Sequence, residues 1–265
     1  MKGTARTTHW MMAITSLLFL AGCIPHSESY LDSPIWSDND HAIVYVAVEG
    51  THYPYSFYHD FDVEHNRIMV TQSQSVVDGS LLFEEEPLMF VYPLYFSAQH
   101  QLLVYYSNET PNDIKLRTYD LSSQSKTIYD ARIAGVLSAA LPPDGDRIAI
   151  YQTEYSSELD THLIAMTVVP VGKPTESRVM YSQAIASQNG IPLYHWQGNN
   201  SIWVKLESGY LVFDIDDGSV TEQMDGCIEP NAFSSSINSQ GLKVSAPYGD
   251  EDLKVRQTSP NQYCH

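Results

Sequence analysis

Short apolar runs separated by polar turn segments recur along most of this chain, the pattern of β-strands. Ala42-Ile43-Val44-Tyr45-Val46, Leu102-Leu103-Val104-Tyr105-Tyr106 and Arg147-Ile148-Ala149-Ile150-Tyr151 are runs of β-branched and aromatic residues bounded by turn formers. No long stretch carries the 3.6-residue period of an amphipathic helix, and Ser182–Gln188 is the best short candidate for one. The pattern therefore predicts an all-β protein. Residues Ile24 to Ser33 are polar without apolar periodicity and are expected to form a tether ahead of a folded body spanning 34–265.

Two elements repeat in the same order. The first is an apolar or aromatic residue, a polar turn and an apolar strand. It reads Trp36-Ser37-Asp38-Asn39-Asp40-His41-Ala42-Ile43-Val44, then Phe96-Ser97-Ala98-Gln99-His100-Gln101-Leu102-Leu103-Val104. The clearest copy is Leu141-Pro142-Pro143-Asp144-Gly145-Asp146-Arg147-Ile148-Ala149; a shortened one starts at Trp196 and a weak one at Ile237. The second element reads Phe61-Asp62-Val63, Tyr119-Asp120-Leu121, Val169-Pro170-Val171 and Phe213-Asp214-Ile215. Such repetition predicts small antiparallel sheets that bury their faces against neighbouring copies. The first element is expected to supply the turn into an inner strand. The second ends the third strand and opens an outer hairpin, with the Asp carboxylate accepting turn N–H groups. Gly145, Gly218 and Gly241 offer permissive backbone at the reversals.

These repeats resemble those of TolB-like (WD40-like) β-propellers, whose hallmark is an aromatic-Ser-Pro-Asp-Gly turn before an apolar strand. Leu141–Ala149 matches best, and the other copies lack the Pro-Asp-Gly. The resemblance implies a propeller of about five four-stranded blades, the last incomplete or completed from the N-terminal side. A β-sandwich is the competing architecture.

The N-terminus adds location. Lys2 and Arg6 precede the apolar run Trp10–Ile14 and Leu17–Leu20, which ends in Ala21-Gly22-Cys23. A basic start, a short apolar core and small residues at the cut are the layout of a secretory signal. Its end resembles the lipobox of bacterial lipoproteins. That resemblance implies removal of residues 1–22, a diacylglyceride on the Cys23 sulfur, and an envelope location. With Ile24 rather than Asp after the cysteine, it favours the outer membrane of a Gram-negative cell, facing the periplasm or the surface. Cys227 and Cys264 then remain, as a disulfide in an oxidising compartment or as two unpaired thiols.

The chain has 14 Lys and Arg against 32 Asp and Glu, a net charge of −18. Loss of Lys2 and Arg6 makes it more negative still. Such a field repels nucleic acid and anionic headgroups and admits cationic partners.

Candidate chemistry is thin. His52, His59, Asp60, Asp62, Glu64 and His65 are metal-ligand types, but they fall on a repeat hairpin, where Asp62 already has a structural role in the turn. Asp214, Asp216, Asp217 and Gly218 depart from calcium-loop spacing and read as a hairpin turn. Glu84-Glu85-Glu86 reads as a solvated acidic patch. The G-x-S-x-G nucleophile elbow is absent, and no pair of carboxylates stands out for glycoside chemistry. The recurrence of Trp36, Phe96 and Trp196 at repeat positions assigns them to packing rather than to ligand. No catalytic residue, metal or cofactor is therefore expected. The expected function is that of a non-catalytic, membrane-anchored lipoprotein whose propeller binds a protein or another envelope component. The alternatives are an extracytoplasmic glycan hydrolase and a sensor of small molecules or cations.

Overall fold

The computed structural model describes residues 25–53, 61–72, 79–86, 90–108, 114–129, 136–185, 194–205, 209–223, 242–246 and 252–257. Among them there is no helix, and all regular structure is strand. Four antiparallel sheets of four strands follow one another along the chain, each a simple meander. Blade 1 contains β1 (His26–Trp36), β2 (Ile43–His52), β3 (Phe61–Thr71) and β4 (Ser80–Glu85). Blade 2 contains β5 (Phe90–Ser97), β6 (Leu102–Asn108), β7 (Ile114–Asp120) and β8 (Ser125–Tyr129). Blade 3 contains β9 (Val136–Ala140), β10 (Arg147–Ser156), β11 (Thr161–Pro170) and β12 (Arg178–Ile185). Blade 4 contains β13 (Tyr194–Gln197), β14 (Ser201–Lys205), β15 (Tyr210–Asp214) and β16 (Val220–Gln223). A fifth unit contributes β17 (Leu242–Ser245) and β18 (Lys254–Gln257), which pair with each other.

The second strand of each full blade explains the architecture. A strand with one wet face alternates, whereas these runs are apolar throughout and must be covered on both faces. In β2, Val44 and Val46 face the blade 2 interface, while Ile43 and Tyr45 face the fifth unit. In β6, Leu103 and Tyr105 pack toward blade 1, Leu102 and Val104 toward blade 3. In β10, Ile148 and Ile150 turn back to blade 2, Ala149 and Tyr151 forward to blade 4. The core is thus a series of inter-blade seams. The last known seam joins Val244 and Leu253 of the fifth unit to Trp36, Ile43 and Tyr45 of blade 1. The first strands lie toward one another, with β5 against β1, β9 against β5 and β17 against β1. Successive meander blades, inner strands turned to a common centre and the last unit packed on the first make a β-propeller. They rule out a two-sheet sandwich.

The first repeat element is the device that joins blades. Trp36, Phe96, Leu141 and Trp196 are all buried, each in the seam with the preceding unit. Trp196 also donates its indole N–H to the carbonyl of Ala140 in blade 3, at 3.3 Å. The turns are linked in series. Asp38 accepts from Ser97 Oγ at 2.6 Å and from the Ala98 amide at 2.9 Å. His100 Nε2 lies 3.2 Å from the carbonyl of Pro143, and the Asp144 amide donates to Asn199 Oδ1 at 3.3 Å.

The second element does its expected work in three copies. Tyr119-Asp120, Val169-Pro170 and Phe213-Asp214 end β7, β11 and β15, the third strands of their blades. Asp120 Oδ1 accepts from the amides of Ser122 and Ser123, and Asp214 Oδ1 from those of Asp216 and Asp217. Phe61-Asp62-Val63 is different, because it opens β3 rather than ending it. The place opposite Ile43 at the far end of that strand is held by Thr71.

Two further expectations are corrected. The segment expected as a tether is strand from His26 onward, paired with β2 from His52 to Val46 before a bulge at Ser33 and Pro34. It looks polar because β1 is an edge strand of its sheet, half-buried along most of its length. Ser182–Ile185 belongs to β12 and is not helical; 186–188 lie outside the described residues.

Candidate functional site

The inner strands of blades 1, 2 and 3 carry bulges. In β1 the extra residues fall between Asp32 and Ile35, in β5 between Pro93 and Tyr95, and in β9 opposite the Tyr151/Gln152 step. A bulge re-aims the side chains beside it. In β1 it is held by an Asp32 Oδ1 that accepts the Ser33 amide at 2.7 Å, with Ser33 in the left-handed region at φ 46°.

Beside this bulge lies a cavity of about 290 Å³ where blades 1 and 2 meet the fifth unit. Tyr30 and Asp32 come from β1, Asn66 from β3, Phe90 and Tyr92 from β5, and Ala246 from the end of β17. Aliphatic side chains of β1, β2, β3 and β5 complete the wall. Asp32 supplies the single carboxylate among its described residues. Tyr92 stacks on Tyr106, ring centroids 4.8 Å apart and planes at 17°. Burial first, and then the Asp32 charge, raises the Tyr92 hydroxyl pKa. The Tyr106 hydroxyl is pushed up to about 12 by burial, then by Tyr92 and Asp32. Both phenols therefore stay neutral donors beside a carboxylate. Phe90, 58% exposed, stands at the rim. An anionic group among aromatic faces fits a cationic or N–H-rich group, held by charge and by the ring quadrupoles.

The other singled-out residues have local roles. Glu84 and Glu86 are exposed, but Glu85 is only 6% exposed. Strand alternation puts it on the Phe83 side of β4, where it accepts from Tyr105 Oη at 2.6 Å and pairs with Lys126 at 2.9 Å. Lys126 also sits 4.5 Å from the Phe83 ring centroid. The solvated-patch reading thus fails for Glu85, which belongs to the seam between blades 1 and 2. Asp214, Asp216, Asp217 and Gly218 form the hairpin turn between β15 and β16. His65 pairs with Glu84 and Glu64 accepts from Thr51, so these two do not converge on His52. His52 instead meets Glu28 and His26 across the β1–β2 pair. Cys23, His59, Asp60, Cys227, Gly241 and Cys264 lie outside the described residues, as does 1–22. Among the described residues, no helix is long and apolar enough to cross a membrane.

Sequence reasoning missed the cavity. Asp32 and Tyr30 stood in the expected tether, and only the i, i+2 alternation of Glu28, Tyr30 and Asp32 hinted at a strand face.

No protein-family model matches the chain, and no curated protein matches it in sequence. Solved structures do resemble it. Pyrococcus horikoshii acylaminoacyl peptidase aligns over 87% of this chain and 38% of its own, at 12% identity and a TM-score of 0.48. TolB from Acinetobacter baumannii aligns over 84% and 56%, at 15% and 0.41. An oligogalacturonate lyase in complex with manganese aligns over 86% and 65%, at 9% and 0.44. The chain spans less than two thirds of each. At these values the likeness is one of outline, and the propeller architecture rests on the sheet order and seams described above.

Proposed function

We propose that this protein is a non-catalytic, lipid-anchored envelope protein that binds a partner protein at the cavity between blades 1 and 2. The cavity carries the reading: the Asp32 carboxylate, the rings of Tyr30 and Tyr92 and an exposed Phe90 suit docking of a Lys or Arg side chain from the partner. The net charge of −18 draws such a partner in. Glycoside hydrolysis needs two facing carboxylates, and the described lining of the cavity supplies one, so that alternative draws no support here.

Anchoring at Cys23, with the outer membrane as the favoured site and a Cys227–Cys264 disulfide, belongs to the same proposal. Its support is the signal-like N-terminus and the lipobox resemblance. A photocrosslinking residue at position 90, in cells that make the protein, should yield one discrete protein adduct. Asp32→Asn should reduce that adduct at least fivefold. No adduct, or one indifferent to Asp32→Asn, rejects the docking site. In the same cells Cys23→Ala should move the protein out of the salt-washed membrane fraction, and full retention there rejects the anchor.

A further inference from the structure

We propose that His26, Glu28 and His52 form a binding site for a divalent transition metal, Zn²⁺ being the ion their chemistry fits best. The register of the first hairpin creates the group. His26 and Glu28, two residues apart, share one face of β1, and His52 at the end of β2 is the direct partner of His26. One ligand atom from each residue lies within 4.8 Å of the others. Donor atoms around a tetrahedral zinc stand about 3.3 Å apart, from zinc–ligand bonds of about 2.0–2.1 Å. His52 Nδ1 and Glu28 Oε2, at 3.6 Å, are already near that separation. The two imidazoles stand edge to face, centroids 5.2 Å apart at 84°, so side-chain rotation alone can bring both nitrogens to one point.

The donor set decides the class of ion. Calcium and magnesium want oxygen shells, whereas two imidazoles and one carboxylate suit Zn²⁺, Cu²⁺ or Ni²⁺. His26 is exposed while Glu28 and His52 are half-buried, so an ion enters from solvent and keeps an open fourth position. An ion here would tie the start of β1 to the end of β2, closing the open end of the hairpin. It does not depend on the cavity. Glu28 and Asp32 share a strand four residues apart, about 13 Å at strand rise.

Calorimetric titration of the full chain with Zn²⁺, its thiols alkylated, should show one equivalent bound. His26→Ala and His52→Ala should each weaken binding at least tenfold, and His162→Ala should not change it. Zn²⁺ should also raise the Tm of the unaltered chain but not that of the double variant His26→Ala/His52→Ala. Cu²⁺ on the unaltered chain gives a second reading that needs no variant: electron paramagnetic resonance should show nitrogen splitting from two imidazoles. No Zn²⁺ binding, binding that survives the double variant, or copper splitting from fewer than two imidazoles overturns the site.

Discussion

Gly145 shows what one position contributes. It sits at φ 72° in the only Pro-Asp-Gly turn of the repeat, and a Cβ there would stand 2.6 Å from Nδ1 of His100. Two costs therefore coincide: a left-handed backbone that L-residues resist, and the ring that links blade 2 to blade 3. Gly145→Ala should destabilise the protein by about 1–3 kcal/mol in urea unfolding. Adding His100→Ala should return part of that loss, because the two substitutions share a contact. Additive effects would show that the ring is not what Gly145 accommodates. In blade 1 the corresponding turn position is Asp40, at φ 61°, since short polar side chains tolerate this region. That is why the turn survives in blade 1, whose Pro-Asp-Gly has gone.

At the scale of the element, second-strand runs and turn signals made most strands legible. Ile43–Val46, Leu102–Tyr106 and Arg147–Tyr151 had to be strands covered on both faces, and they are. What escaped was strand whose burial is partial. β1 is an edge strand whose polar side chains gave no apolar period. Glu85 looked like one of three solvated acids because its partners, Tyr105 and Lys126, come from the next blade. Phe61-Asp62-Val63 matched a third-strand ending by residue type alone, and pairing with Gly50–His52 places it at the opposite end. The candidate site was illegible for the same reason, since its lining is gathered from three units. Where the element reading held, it makes a quantitative claim. Asp214 satisfies two turn amides. Asp214→Ala should cost about 1 kcal/mol, and Asp214→Asn, which keeps an acceptor oxygen, less. Equal losses in chemical denaturation would show that charge rather than the turn amides matters.

At the scale of the whole molecule, burial shifts several tyrosines in one direction. Burial pushes the Tyr151 hydroxyl up to about 12, as burial with Tyr92 and Asp32 does for Tyr106, and raises those of Tyr45 and Tyr105 as well. The folded state then holds phenols neutral that the unfolded chain ionises near pH 10. Their contribution is fully present below pH 10 and is lost as pH rises toward 12. The Tm should fall across that window, and a flat profile would contradict the buried phenols. The ring itself depends on the fifth unit, whose Val244 and Leu253 cover Trp36, Ile43 and Tyr45. Native-state hydrogen exchange of Val244→Asp against the unaltered chain tests that closure most directly. A closed ring predicts that amides in β1 and β2 lose protection together with those of β17 and β18. Loss confined to β17 and β18, with blade 1 as protected as before, would contradict it.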